Sequence, residues 1–190
     1  MEGVPLLECR EVVAGYGGPV IGPVSLALSP GEMVGLHGAN GSGKSTILGA
    51  ITGAVKIFSG EIWRRSDLKV AHHRQRPVRP AELPLTGEEL LRLTGASRED
   101  APEPLTALLS LRLDRLSGGQ FQLLHIWACL GSAAELVLLD EPTNNLDPEA
   151  LMVLRQMLQR PRPERAVLVV SHEAGFLDDL CHRVVHLRCE

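Results

Sequence analysis

The residues from Gly38 to Thr46, Gly-Ala-Asn-Gly-Ser-Gly-Lys-Ser-Thr, have the types and spacing of a phosphate cradle. Glycines at 38, 41 and 43 let the backbone turn tightly, so that its N–H groups meet an oxyanion with no side chain between. Lys44 has the charge and reach for β- and γ-phosphates, and the Ser45 hydroxyl suits a Mg²⁺ ion held beside them. Asn40, Ser42 and Thr46 complete the loop. Ahead of it, Met33-Val34-Gly35-Leu36 reads as a buried strand, and behind it Thr46 to Thr52 reads as a helix. Such a helix adds a positive dipole end and free N–H donors. A strand, this GxxxxGK[ST] spacing and a helix together predict binding of a nucleoside triphosphate.

Carboxylates follow further along. Leu136-Val137-Leu138-Leu139 is a continuous apolar run ending in Asp140-Glu141, the pattern of a buried parallel strand delivering acids at its C-terminal end. Asp140 is placed to bind the Mg²⁺ shell. Glu141 is then placed to orient or deprotonate an attacking water. His172 ends another buried run, Ala166 to Val170, in line with Asp140. A second phosphate-binding end is encoded by Ser117-Gly118-Gly119-Gln120. Ser117 is an N-cap and Gln120 its reciprocal partner three residues on, so the following helix presents two glycines and free N–H groups. One triphosphate has no use for two such separated cradles in one subunit. The spacing therefore points to a site shared between subunits.

Around these motifs the chain alternates short apolar runs with turns. From residue 4 to 36 the runs are separated by Gly17-Gly18, Gly22-Pro23 and Pro30-Gly31, which predicts an antiparallel β-layer leading into the strand before the cradle. Tyr16, the single tyrosine, sits between Gly15 and Gly17 and reads equally as a turn aromatic or as an adenine platform. Gly60 to Trp63 and Leu68 to Ala71 read as strand pieces, the second followed by Gln75. From Arg76 to about Arg115 the composition shifts toward Pro, Glu, Leu and Arg, and Thr86 to Glu89 has capping-box spacing. This stretch is expected to be a small helical insertion. Asn144 to Pro148 predicts an N-cap with proline at N1, opening a helix through Leu151, Leu154 and Leu158.

The chain has 190 residues, enough for one domain with a substantial core, and its net charge of −4 supplies no basic field for nucleic acid. The four cysteines form no CxxC pair, so a reducing cytosol is expected rather than a disulfide framework. No leader and no run approaching the ~18 apolar residues of a membrane span are evident, so work at a membrane would require another polypeptide. Cys181, His182, His186 and Cys189 carry metal-ligand chemistry, but their spacing matches no standard zinc pattern and a helix end with a final strand is the expectation. His72 and His73 are adjacent, and on a strand they point to opposite faces.

Taken in order, these motifs resemble the nucleotide-binding subunit of ATP-binding-cassette (ABC) proteins over essentially the whole chain. Tyr16 is similar to the family's adenine-stacking aromatic, Gly38 to Thr46 to its Walker A loop, and Gln75 to the glutamine that closes on Mg²⁺ and senses a transmembrane partner. Leu116 to Gln120 resembles the family signature, Leu136 to Glu141 Walker B with the catalytic glutamate, Asn145-Leu146-Asp147 the D-loop, and His172 the switch histidine. The resemblance implies an α/β P-loop NTPase fold of ABC type, with a mostly parallel core sheet, an N-terminal antiparallel layer and a helical insertion. It implies ATP and Mg²⁺ as cofactors and catalytic roles for Glu141, His172 and Lys44. Nucleotide contacts from Tyr16, the Gly38 to Thr46 loop, Ser117 to Gln120 and Asp147, and metal contacts from Ser45, Gln75 and Asp140, are also implied. It further implies a homodimer or heterodimer on the cytoplasmic face of a membrane, bound to an integral permease, with no direct nucleic-acid contact.

Within the family, the Lys44-to-Gln75 spacing and Leu83-Pro84-Leu85-Thr86 resemble zinc or manganese importer ATPases. Asp140 to Asp147 and Val169 to His172 with Phe176-Leu177 resemble the ABC-F class that acts on ribosomes, whose members carry two cassettes and a charged linker. This chain has one cassette, which keeps transport ahead. Two departures stand out. Leu123 and Ala128 occupy positions where the family has arginines in the signature helix, and His72-His73-Arg74 replaces an aromatic-apolar-proline run. The first raises a third reading, a cassette that binds ATP and regulates with little turnover.

Overall fold

The central strands are apolar in continuous runs, so both of their faces need cover, and the chain supplies it from two sides. The computed structural model describes residues 4–75, 85–160 and 162–187. Strands β1 (Leu7–Gly15), β2 (Ile21–Leu28) and β4 (Lys56–Arg64) form an antiparallel sheet in the order β2-β1-β4. Strands β3 (Met33–His37), β5 (Val70–His73), β6 (Leu136–Asp140), β7 (Ala166–Ser171) and β8 (Arg183–His186) form a five-stranded sheet in the order β5-β6-β7-β3-β8. Every pairing in that second sheet is parallel.

On one face Leu136, Leu138, Leu168, Val34 and Leu36 pack with the antiparallel layer and with Ile47 and Leu48 of α1 (Lys44–Ile51). On the other, Val137, Leu139, Val167 and Val169 pack against α4 (Gly118–Leu130), α5 (Pro148–Leu158) and α6 (Ala174–Leu180). The insertion contributes α2 (Gly87–Thr94), α3 (Glu103–Thr106) and a 3₁₀ turn at Leu113–Arg115, whose Leu91, Leu105 and Leu109 join this second core. Burial at every position of β6 and β7 is what a parallel strand covered on two sides requires.

The local signals place the elements closely. Thr86 caps α2 through both halves of a capping box, with Thr86 N–H donating to Glu89 at 2.7 Å and Glu89 N–H to the Thr86 hydroxyl at 3.3 Å. Asp147 caps α5 by accepting from Ala150 N–H at 2.8 Å. Three boundaries differ from expectation. Helix α1 begins at Lys44 rather than Thr46, β4 extends Gly60–Trp63 by pairing along β1, and β5 lies two residues later than Leu68–Ala71 because it takes its register from β6. Part of the insertion, with Leu83 and Pro84 of the importer-like run, lies outside the described residues, as does Cys189. Cys181 ends α6 and His186 lies in β8, and among the described residues no group of three or more His, Cys, Asp or Glu could hold a metal.

Leu168, fully buried at the centre of the parallel sheet, sets the scale of core packing. Leu168→Ala is expected to cost about 2–5 kcal/mol. In a thermal melt that is a fall of about 2–4 °C per kcal/mol for a chain of this size, and an unchanged melt would contradict the packing.

Candidate nucleotide site

Strands β3, β6 and β7 run in parallel, so the loops at their C-terminal ends, after His37, Asp140 and Ser171, open on one edge of the sheet. The cradle's glycines are required by contact as well as conformation. A Cβ on Gly38 would lie 2.4 Å from the Ser42 hydroxyl, and one on Gly43, at φ +86°, would lie 2.9 Å from Ile21 Cβ. Gly41, at φ +84°, faces open space, as a backbone that receives an oxyanion must. The Ser42 hydroxyl is buried and unpartnered in the same loop.

Lys44 is buried and its ammonium uses three acceptors: Gly38 O at 2.7 Å, Ala39 O at 3.0 Å and Glu141 Oε1 at 3.2 Å. Glu141 is buried too, and its Oε2 lies 2.8 Å from His172 Nδ1. These residues thus form a chain from cradle to strand end, Lys44–Glu141–His172. His37 Nε2 donates to the His172 carbonyl at 3.2 Å and holds that loop. Glu141 has a left-handed backbone at φ 49°, unusual for a residue with a side chain, and this turns its carboxylate back toward Lys44.

Asp140 and Ser45 meet beside this chain. The Ser45 hydroxyl donates to Asp140 Oδ2 at 3.0 Å, while Oδ1 is buried with no partner. Burial pushes the Asp140 carboxyl above its ordinary value, against the Ser45 hydrogen bond, with Glu141 adding to the rise and Lys44 opposing it. A hydroxyl plus a buried carboxylate oxygen with an unfilled lone pair is a donor set that fits a hard, oxygen-seeking cation such as Mg²⁺. Ser45 and Asp140 also line a cavity of about 370 Å³ with Tyr16, Gly49, Thr52, His72, Arg74 and Gln75. Tyr16 is 70% exposed there, free to present its ring face.

Because ionised Asp140 is disfavoured by burial, its charge destabilises the folded chain at neutral pH. With the folded value above the unfolded one, stability falls as pH rises through that interval and stays low above it. Asp140→Asn is expected to melt higher than the native chain at pH 7, by a margin that disappears below the ordinary carboxylate range. Equal melting at pH 7 would contradict the burial argument.

The capping box that opens α4 is built as its spacing predicts. Gln120 N–H donates to Ser117 Oγ at 3.2 Å and Ser117 N–H to Gln120 Oε1 at 2.9 Å, so α4 starts with Gly118 and Gly119. Ser117, Gly118 and Gln120 are exposed, and a Cβ at Gly118 would meet nothing. None of residues 117–120 lines the Tyr16–Asp140 cavity. Asp147 is exposed, with one carboxylate oxygen committed to its cap, and Asn40 is exposed while Thr46 is buried in α1. Leu123 and Ala128 are buried within the α4 core, where the helix makes apolar contacts.

Three supports of the site were not anticipated. Thr143 Oγ1 donates to Glu173 Oε1 at 2.6 Å, tying the loop after Glu141 to the residue after His172. Gln122 Nε2 donates to Pro142 O at 2.8 Å, anchoring that loop on the signature helix. His125 on α4 meets His73 on β5. These are long-range contacts without a local sequence pattern.

Fold and site together define an α/β P-loop ATPase. The family model described as ABC transporter matches residues 21–144, and the chain belongs to that family. It is 36% identical over 183 residues to the zinc import ATP-binding protein ZnuC of Roseobacter denitrificans, a match covering 90% of this chain and 72% of that one. A solved ATP-binding subunit of an ABC transporter superposes with a TM-score of 0.81 at 29% identity, over 96% of this chain and 86% of that one. A chain from the complex of archaeal ribosomal stalk protein aP1 with the ribosome recycling factor aABCE1 superposes with a TM-score of 0.81 at 28% identity, over 100% of this chain but 38% of that one. The protein is therefore an ATP-binding and ATP-hydrolysing subunit of the ABC transporter class. Among the described residues, no helix is long and apolar enough to cross a membrane.

Proposed function

We propose that this chain powers import of a divalent metal, zinc foremost, as one ATPase domain over residues 1–190 that docks on a separate integral permease at the cytoplasmic face. The observation that carries the metal reading is the 36% identity to a zinc import ATP-binding protein across 90% of the chain. The helical insertion, about residues 76–115, is the proposed permease contact, and residues 116–120 form the signature. A net charge of −4 gives no support to direct nucleic-acid binding.

In the proposed cycle two subunits sandwich two ATP molecules. Tyr16 stacks on adenine, and the backbone of Gly38 to Thr46 takes the phosphates. Lys44 transfers its donors from the two carbonyls and Glu141 to phosphate oxygens, which releases the Glu141 carboxylate to orient water. His172, already beside Glu141, holds the γ-phosphate. The Gly118 and Gly119 N–H groups, held at the helix tip by the Ser117–Gln120 capping box, close the site from the other subunit with Asp147. Ser45, Asp140 and Gln75 would hold Mg²⁺, which would supply neutralisation of the charge on the phosphates.

A second reading, an ATPase acting on ribosomes, is favoured by the likeness to the chain from the recycling-factor complex. Affinity purification from solubilised membranes separates the two. The transport reading expects an integral membrane protein that, reconstituted with this chain, takes up radiolabelled zinc only with ATP. Recovery of ribosomal proteins and no membrane protein would overturn it.

A further inference from the structure

Strand β5 ends in two histidines that face opposite ways, as strand geometry dictates. His72 lines the nucleotide cavity with Gln75, and its Nε2 is buried without a partner. His73 is completely buried on the other face and meets His125, which lies in the body of the signature helix. The two Nδ1 atoms are 3.1 Å apart and the rings are tilted at 57°. Phe121 packs beside His125, with ring centroids 6.1 Å apart.

The pair has one workable protonation pattern. Two ring nitrogens at 3.1 Å share one hydrogen, so one Nδ1–H donates to the bare Nδ1 of the other ring. His73 Nε2 is buried without a partner, and a bare lone pair is cheaper to bury unpaired than an N–H. His73 is thus the donor and His125 the acceptor. A directional bond of this kind resists sliding and rotation of α4 over β5 in a way that an apolar contact does not.

We propose that the His73–His125 hydrogen bond is a positioning pair that locks the strand leading to Gln75 onto the signature helix. It makes the phosphate-binding tip at Ser117 move with the wall of the nucleotide cavity. His72 seats one face of the strand on that cavity while His73 grips the helix with the other. The inference rests on Gln75 and Ser117 being site residues, as proposed above.

Nuclear magnetic resonance of the native protein with isotope-labelled histidine tests the bond itself. One Nδ1–H coupled through the hydrogen bond to a second Nδ1 is expected at neutral pH, and two uncoupled rings would overturn the proposal. Steady-state ATP hydrolysis then tests its role. His125→Leu is expected to lower kcat about tenfold, near the worth of one neutral hydrogen bond, with KM almost unchanged. His125→Asn, whose amide oxygen reaches the place of Nδ1, should recover most of that loss. Native kcat in a folded His125→Leu variant, or equal losses in both variants, would overturn the proposal. Should His125→Leu not fold, Glu141→Gln protein decides: the coupled resonances should shift on addition of Mg-ATP, and unchanged resonances overturn coupling to the site. If Glu141→Gln still hydrolyses ATP, the site assignment fails instead. If it is blocked while His125→Leu turns over normally, only the pair fails.

Discussion

Glu141→Gln is expected to hydrolyse ATP at least about a hundredfold more slowly than the native chain while still binding it, the loss typical of removing a general base. Glutamine keeps the shape and a hydrogen-bonding oxygen but gives up the charge that attracts a water proton. The fold should tolerate the exchange. Lys44 retains the carbonyls of Gly38 and Ala39, and the left-handed backbone at residue 141 suits glutamine no worse than glutamate. Steady-state phosphate release beside equilibrium ATP binding measures both halves of the expectation. Native turnover would remove Glu141 from its assigned role.

Lys44→Ala should do the reverse and weaken ATP binding about a hundredfold or more, because charge-assisted bonds to phosphate are worth about 1.5–3 kcal/mol each. It should also destabilise the ligand-free chain. Both side chains of the Lys44–Glu141 pair are 6% exposed, so removing the lysine leaves a buried carboxylate facing His172 without its cation. Loss of one partner of such a pair costs up to about 3–5 kcal/mol. The double variant Lys44→Ala with Glu141→Gln should then melt higher than Lys44→Ala alone, yet bind ATP no better. Calorimetry and thermal melts separate the two effects. Native ATP affinity in Lys44→Ala would contradict the cradle assignment, and additive melting shifts would contradict the pairing.

Most of the candidate site's local geometry could be read before the fold because its parts are local. A glycine cradle, two capping boxes and an apolar run ending in acids each announce themselves within a few residues, and Thr86, Ser117 and Asp147 cap the helices they were expected to cap. The starts and ends of β4 and β5 were less legible, since β1 and β6 set their registers from a distance. The partners that tie the site together were not legible at all. Lys44 turning onto Glu141, Thr143 onto Glu173 and His73 onto His125 join residues between 30 and 97 positions apart, and nothing in the composition around either end marks the other. Likewise, Leu123 and Ala128 stand out as departures in sequence, whereas in the fold both are ordinary core positions.

Residues 117–120 lie off the cavity that holds Tyr16, Ser45 and Asp140, so the proposed nucleotide site, which uses both, requires a second subunit. Light scattering of Glu141→Gln protein, with and without Mg-ATP, addresses that requirement directly. A twofold rise in mass on adding Mg-ATP, lost when Ser117→Arg is introduced, is the expected result. A mass that stays at 20.6 kDa at high protein concentration, with no similar ATPase subunit able to join it, would contradict the shared site.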